Sequence, residues 1–280
     1  KETIPKVERF FCYLRERRDP DNDGLISIIT PMESGMDLAP HFDPPLGIHD
    51  HNPGMLKKKI NRMLEVYHRN QWDLDKIFRF SIFDFEDVAF NTIYALSLRA
   101  LARLYGKLNN RQKSDELSNL AGKVETTIIE KLWDEEDRSF YGVYHKGGKE
   151  LKSRVKTVSS LFPIALDLPD DYIEEIIYHL SNENEFWLNY PIPSVARDEP
   201  SFGPLSDSRH IWRGTTWINT NWFIARGLIR HKKERLYQEL KLRTLRLVEK
   251  SGFCEFYDPF DGHPGRAERN FSWSTLVIDL

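Results

Sequence analysis

Carboxylates in two separate loops are the groups of this sequence best suited to move a proton. In residues 252–259, Glu255 stands among aromatic side chains. Partial burial raises the pKa of a carboxyl group, which prepares it to donate a proton near neutral pH. Loop carboxylates also serve as turn or helix-cap residues, so a structural interpretation stays open. The segment 30–45 carries three more carboxylates among glycine, proline and apolar residues: Glu33, Asp37 and Asp43.

Aromatic and polar residues that suit a sugar ring follow in residues 211–222 and near the C-terminus. Tryptophan faces can stack on a pyranose, and arginine or asparagine can bind its hydroxyl groups. The alternative interpretation makes the tryptophans part of the core and the arginine an ion-pair partner. The candidate substrate-binding residues here are Trp212, Arg213, Trp217, Asn219 and Trp273.

The turn 19–24 (Asp-Pro-Asp-Asn-Asp-Gly) is similar to the first half of a calcium-binding EF-hand loop. That loop needs a bidentate glutamate at its twelfth position, which is Thr30 in this chain. An acidic turn explains the composition without an ion. We therefore predict no metal and no cofactor.

Two kinds of helix are predicted, and they alternate along the chain. One kind has a single apolar stripe and should face water on its other side. The other kind is apolar nearly all round and should be packed on every side. The one-sided segments are 55–68, 111–132, 171–180 and 232–250, and the fully apolar ones are 86–104, 158–166, 215–229 and 272–280.

This alternation favours a two-layer ring of helical hairpins over a four-helix bundle, in which every helix would be similarly amphipathic. We predict an all-α, (α/α)6 toroid, forming one catalytic domain over residues 1–280. A complete ring needs twelve helices, and the patterns indicate about nine, including one around Val7–Leu14. Because the chain begins with Lys1 rather than Met, we expect N-terminal hairpins to be supplied by another segment or chain, with a homo-oligomer as a further possibility. A smaller, irregular helical domain is the alternative.

Composition excludes several classes of protein. The chain has 40 Lys+Arg and 43 Asp+Glu, a net charge of −3, which gives no reason to expect a nucleic-acid partner. It contains no apolar run of the roughly 18 residues that a membrane helix needs. Two cysteines, Cys12 and Cys254, make no disulfide framework. Few cysteines and no secretory leader favour the cytoplasm.

The order of several motifs resembles glycoside hydrolase family 63, in particular its prokaryotic members, which include mannosylglycerate and glucosylglycerate hydrolases. Trehalase is a more distant relative. The resemblance runs from about residue 19 to the C-terminus. Its motifs are residues 33–37 (Glu-Ser-Gly-Met-Asp), 212–214 (Trp-Arg-Gly) with Trp217 and Asn219, 252–259 and 271–274, with a weaker helix-end signature at 131–136.

The resemblance implies an (α/α)6 toroid that hydrolyses an α-linked small saccharide or glycoside with inversion. By position, Asp37 matches the general acid and Glu255 the general base. Inverting glycosidases hold these two carboxyl groups about 6.5–9.5 Å apart, which leaves room for the attacking water. Glu33 and Asp43 are secondary carboxylates, and Asp87 and Asn91 are expected to make structural hydrogen bonds.

The sequence departs from the family pattern beside Asp37. Members commonly have Trp before Glu-Ser-Gly, and Asn-Ser-Pro-Arg-Trp-Asp after the acid. This chain has Met32 and then residues 38–43, Leu-Ala-Pro-His-Phe-Asp. The sugar and the aglycone are therefore not inherited from the resemblance.

Two alternatives remain open. One is a sugar-binding or assembly module that has the fold but no turnover. The other is a sugar isomerase on a similar toroid, which would need paired central histidines. The five histidines that we place in loops or on polar faces disfavour it: His49, His51, His145, His231 and His263.

Overall fold

The computed structural model describes residues 3–80, 82–203 and 211–280, and these ranges are rich in helix. The predicted helices are confirmed at most positions, with Leu74–Phe80 as an addition that the periodicity did not indicate. None of the helices in these ranges is long and apolar enough to cross a membrane. The described α-helices are α1 (Ile4–Arg17), α2 (Pro53–Arg69), α3 (Leu74–Phe80), α4 (Val88–Lys107), α5 (Arg111–Thr127), α6 (Asp170–Ser181), α7 (Ile218–Arg230) and α8 (Glu234–Ser251).

Two segments predicted as buried α-helices take a tighter form, and only the first of them is buried. Val158–Ala165 and Ser272–Asp279 are 3-10 helices. All eight residues of the first are buried, and it contains Pro163, which has no N–H to donate to a helical carbonyl. In the second, Ser274 and Val277 are buried, whereas Trp273 and Ile278 are exposed, so the prediction that 272–280 is packed on every side is wrong. The one-sided segment 111–132 is α5 continued by a π-helical turn, Ile128–Leu132.

The all-α prediction needs correction because the chain also forms two small antiparallel sheets. In the larger one, Phe85 pairs with Tyr144 and Val143 pairs with Lys152, around a turn at Gly147 and Gly148. Both glycines have positive φ, as a tight hairpin turn requires. Strands this short carry too little alternation to be read from sequence. The strands are β1 (Phe85–Glu86), β4 (Val143–Lys146) and β5 (Lys149–Lys152) in one sheet, and β2 (Trp133–Asp134) and β3 (Ser139–Phe140) in the other.

Helices α4 and α7 occupy the interior, and α5 and α8 cover them. Helix α4 packs against α5 and against Val158–Ala165, while α7 packs against that segment, Ser272–Asp279 and α8. Gly227 allows the close approach of α7, because a Cβ there would lie 2.5 Å from the Ile164 side chain and 2.8 Å from its carbonyl oxygen.

The predicted distinction between the two kinds of helix holds in part: α5 and α8 cover α4 and α7, but Ile93 and Leu104 of α4 and Ile229 of α7 are exposed, so these helices are not packed on every side. The closed (α/α)6 ring stays a prediction.

Three extended segments pair beside the interior helices and bring distant loops together. Pro193 bridges to Thr216, and Thr216 bridges to Tyr257. The N–H of Thr216 donates to the carbonyl of Tyr257 at 2.8 Å, and the reverse bond is 3.0 Å. This pairing places the segment of Glu255 beside that of Trp217.

Candidate active site

Residues 30–51, here called the acid segment, form a compact turn around Asp37. Gly35 has φ +74° and closes a 3-10 turn by donating its N–H to the carbonyl of Met32. The Ser34 hydroxyl donates to the carbonyl of Pro31 and accepts from the N–H of Met36. Asp37 follows at the surface, and burial of its carboxyl by the surrounding chain raises its pKa, opposed by its own backbone N–H.

Glu33 anchors the beginning of this turn to the interior. Its carboxylate makes a bidentate ion pair with Arg18, with N–O distances of 2.5 and 3.0 Å, and accepts the N–H of Ile29 at 2.7 Å. Arg18 also donates to the carbonyl of Ser27. Both oxygens of Glu33 are therefore engaged within the protein, although the residue borders the cavity described below.

Residues 252–271, here called the base segment, hold Glu255 half-buried. The N–H of Glu255 donates to the carbonyl of Glu268 at 2.8 Å. Burial raises the pKa of Glu255, a backbone hydrogen bond from Glu268 opposes this, and the negative charges of Glu268 and Asp37 raise it further. Asp37 and Glu255 are thus near enough for the charge of one to act on the other.

A cavity of about 450 Å³ borders the turn that precedes Asp37. Neither Asp37 nor Glu255 lines it, but Met36 and Trp273 do. Trp273 is 41% exposed, and the buried Oδ1 atom of Asn219 has no hydrogen-bond partner among the described residues. Other residues that line the cavity are Met32, Ile93, Phe162, Trp212, Trp222 and Phe223.

The two tryptophans expected to stack on a sugar stack on each other instead. The rings of Trp212 and Trp217 lie 3.8 Å apart and 4° from parallel, and both residues are buried. The indole N–H of Trp217 donates to Thr215. The expectation for Trp217 is corrected: it is sealed behind Trp212, which alone of the pair reaches the cavity.

Arg213 and Asp43 were expected to contact a sugar, and the structure places both in the interior. They are 1% and 0% exposed. The guanidinium pairs bidentately with the carboxylate of Asp43, at 2.7 and 3.0 Å, and Nδ1 of His51 lies 3.1 Å from an oxygen of the same carboxylate. The ion-pair interpretation of Arg213 applies, because this pair leaves no free surface for a hydroxyl group.

Asp87 and Asn91 have the structural roles expected of them. The Asp87 carboxylate caps α4 by accepting the N–H of Phe90. The Asn91 side chain accepts the N–H of Ile26 and donates to its carbonyl.

The acidic turn 19–24 folds back on itself and meets a lysine. The Asp19 carboxylate accepts the N–H groups of Asp23 and Gly24, and one oxygen each of Asp19, Asp21 and Asp23 lie within 4.8 Å of one another. Lys131 pairs with Asp21 and Asp23, and also with Glu86 and Glu150. An ammonium group is thus the cation of this cluster in the structure.

Sequence reasoning missed the apolar part of the cavity and the role of His51. The apolar pattern predicted Ile93, Phe162 and Phe223 as core residues of helical segments. It did not indicate that they border a cavity. His51 read as a loop histidine. Its contact with Asp43 depends on a turn that residue types do not specify.

The family model described as the mannosylglycerate hydrolase MGH1-like glycoside hydrolase domain matches residues 1–274. The chain belongs to glycoside hydrolase family 63. The predicted resemblance is confirmed.

Among its relatives in this family is a mannosylglycerate hydrolase of Thermus thermophilus, 32% identical over 98% of this chain and 68% of that protein. Another, of Rubrobacter radiotolerans, is 27% identical over 96% of this chain and 64% of that protein. A crystal structure of the Thermus thermophilus enzyme in complex with glucose superimposes with a TM-score of 0.87 at 31% identity. It covers all of this chain, which spans 68% of the solved one. The chain therefore has the fold of that enzyme and spans about two thirds of the length of these relatives.

Proposed function

We propose that this family 63 chain hydrolyses the α-glycosidic bond of a small glycoside with inversion, with Asp37 as general acid and Glu255 as general base. The observation that carries the proposal is that residues 213–216 contact both loops: Arg213 donates to the carbonyl of Leu38, next to Asp37, and Thr216 pairs with Tyr257, two residues from Glu255. Two carboxyl groups carried by distant loops that contact the same segment suit the task of an inverting pair.

Burial and the repulsion between the two charges favour a proton on this carboxyl pair. Both carboxyl groups have raised pKa values because of burial. Two interacting carboxyl groups lose their protons in separate steps, since the first charge opposes the second. Between those steps one proton remains on the pair, which allows Asp37 to protonate the leaving oxygen while Glu255 deprotonates the attacking water.

The cavity supplies the features of a sugar site. The exposed face of Trp273 suits the apolar face of a pyranose. The unpartnered Oδ1 of Asn219 can accept a hydrogen bond from a sugar hydroxyl, which would satisfy a buried polar atom that is otherwise costly. We assign Trp212 to the wall of this site.

The substrate class is a small α-glycoside. The relatives named as mannosylglycerate hydrolases make mannosylglycerate and glucosylglycerate the first compounds to test. The altered residues after Asp37 make neutral α-glucosides and α-mannosides the second group. We also propose that residues 1–280 act as a toroidal catalytic domain.

The decisive experiment follows the anomer released from this panel by proton NMR. We expect the β-anomer to appear first, and both Asp37→Asn and Glu255→Gln to lower kcat by at least about 10²-fold. Asp50→Asn and Asp261→Asn change exposed carboxylates of the acid and base segments; they are the matched controls and should keep activity. Undiminished activity in both Asp37→Asn and Glu255→Gln would refute the assignment.

The same panel tests the binding-module alternative. Calorimetric binding of a saccharide with no product after long incubation would favour a module without turnover over an enzyme.

A further inference from the structure

The guanidinium group of Arg213 joins three parts of the acid segment at one point. Its Nε donates to the carbonyl of Leu38 at 3.0 Å, next to Asp37 in the chain. Its Nη1 donates to the carbonyl of His51 at 2.9 Å. Both terminal nitrogens bind the carboxylate of Asp43. The carbonyl next to Asp37, the carboxylate of Asp43 and the C-terminal end of the acid segment are therefore tied to a single side chain.

We propose that Arg213 and Asp43 are positioning residues that hold the general acid Asp37 in place, rather than groups that bind the sugar. This inference rests on the proposed function, because it concerns the geometry of the acid in that reaction.

The backbone around Arg213 is held in place by contacts with neighbouring segments. Trp212, the preceding residue, is fixed by its stack on Trp217. The N–H of Gly214, the following residue, donates to the Ser194 hydroxyl at 2.9 Å. The carbonyl of Arg213 accepts the N–H of Gly203. The backbone that presents the guanidinium is thus held on both sides before the side chain reaches the acid segment.

Asp43, the partner of Arg213, is also fixed by contacts of its own side chain and backbone. Its carboxylate is fully buried and is oriented by Arg213 and by Nδ1 of His51. Its backbone N–H donates to the carbonyl of Pro40, and its carbonyl accepts the N–H of Ile48. The pair therefore fixes the backbone on both sides of Asp43 as well as the carbonyl after Asp37.

Only arginine can make these contacts at once. Its planar fork donates along fixed directions to a carboxylate and to two carbonyls, whereas lysine carries three donors on one atom. Proton transfer to a leaving oxygen depends steeply on position, and a displacement of about 1 Å can cost about 10²-fold in rate. Loss of the fork should therefore weaken the acid step while leaving sugar binding intact.

The test compares two glycosides of the sugar that the anomer assay identifies. A methyl glycoside has a poor leaving group that needs protonation, whereas a 4-nitrophenyl glycoside leaves as a stable phenolate with little help. For Arg213→Lys we expect kcat on the methyl glycoside to fall by about 10²-fold and kcat on the nitrophenyl glycoside by less than about 10-fold, with KM unchanged on both.

Arg99→Lys is the matched control. Arg99 also binds a carboxylate with two nitrogens, that of Glu125, and donates to a main-chain carbonyl, but it does so between α4 and α5. The Arg99→Lys variant should keep kcat on both glycosides within about twofold of the wild-type value. If Arg213→Lys does not fold, Asp43→Asn keeps the side-chain volume and carries the same comparison, with folding checked by circular dichroism.

The outcomes separate the two proposals. If the wild-type protein cleaves neither glycoside, the proposed function fails. If it cleaves both and the variant lowers the two rates equally, or raises KM alone, Arg213 has a structural or binding role and the positioning proposal is overturned.

Discussion

The acid segment and the base segment hold their carboxyl groups by different means. Around Asp37, two ion pairs hold the chain: the partly exposed pair of Glu33 with Arg18, and the buried pair of Asp43 with Arg213. Around Glu255, backbone pairing carries it, through the N–H of Glu255 on Glu268. Side-chain anchoring depends on residue identity, whereas backbone pairing tolerates most substitutions. We therefore expect substitutions in the acid segment to lower stability and activity more than substitutions in the base segment.

The largest effect should come from Asp43→Ala, which leaves the guanidinium of Arg213 buried without its partner. Removing one member of a buried pair costs about 3–5 kcal/mol, measured here as the free energy of unfolding in urea. Glu125→Ala, which breaks the more exposed pair with Arg99, should cost below about 1 kcal/mol. Equal losses in the two variants would contradict the proposed difference between buried and exposed pairs.

A smaller loss is expected in the base segment from Tyr257→Phe. The Tyr257 hydroxyl donates to the carbonyl of Gly252 and accepts the N–H of Cys254. Its removal should cost about 1–2 kcal/mol by thermal or chemical unfolding, while kcat changes little because the backbone pairing with Thr216 remains. A loss of kcat as large as that of Arg213→Lys would show that the base segment is no more tolerant than the acid segment.

Gly35→Ala should sharpen the comparison further. Gly35 has positive φ with open space around it, so an added Cβ strains only the backbone, by about 1 kcal/mol. Gly147→Ala, at the hairpin turn, has the same open surroundings and a φ of +59°. Stability measurements should find similar losses, and kinetics should find a lower kcat only for Gly35→Ala, which moves Asp37. A fall in kcat for both would point to general destabilisation.

The smallest expected effect is a pH-dependent change in stability when Glu255 is replaced by Gln. Because folding raises the pKa of Glu255, the folded state binds its proton more tightly than the unfolded state does. The resulting stabilisation is complete below the ordinary carboxyl range and is lost as pH rises through the raised value. Glu255→Gln should therefore be slightly more stable than the wild-type protein at neutral pH, and this gain should vanish in acid. Thermal unfolding at the two pH values measures it, and a loss of stability at neutral pH would contradict it.

Much of the helical framework could be predicted from the sequence, because burial on one face imposes a period on residue types. The stripe that predicted 111–132 and the apolar run that predicted 86–104 both lie on helices of the structure. Helix α3 was too short to display a period. The segment around Pro163 is a 3-10 helix, a distinction that apolar content does not make.

The sequence predicted which residues belong to the region of the site better than it predicted what each of them contacts. Asp37 and Glu255 were selected by their loops and by the family motifs, and their catalytic roles stay predictions. The exposed ring of Trp273 and the unpartnered oxygen of Asn219 fit the expected sugar contacts. Trp217 and Arg213 do not, since other parts of the protein occupy the surfaces that a sugar would need.

The sequence by itself indicated the family and most of the helices, and it selected the two carboxylates for which catalytic roles are proposed. Only the tertiary structure decided which polar groups remain available to a ligand. A side chain such as Arg213 has the same donors in any context, and whether they meet a sugar or the Asp43 carboxylate depends on the approach of a loop 170 residues away. Such long-range pairing follows from the packing of the whole chain, which no local pattern encodes.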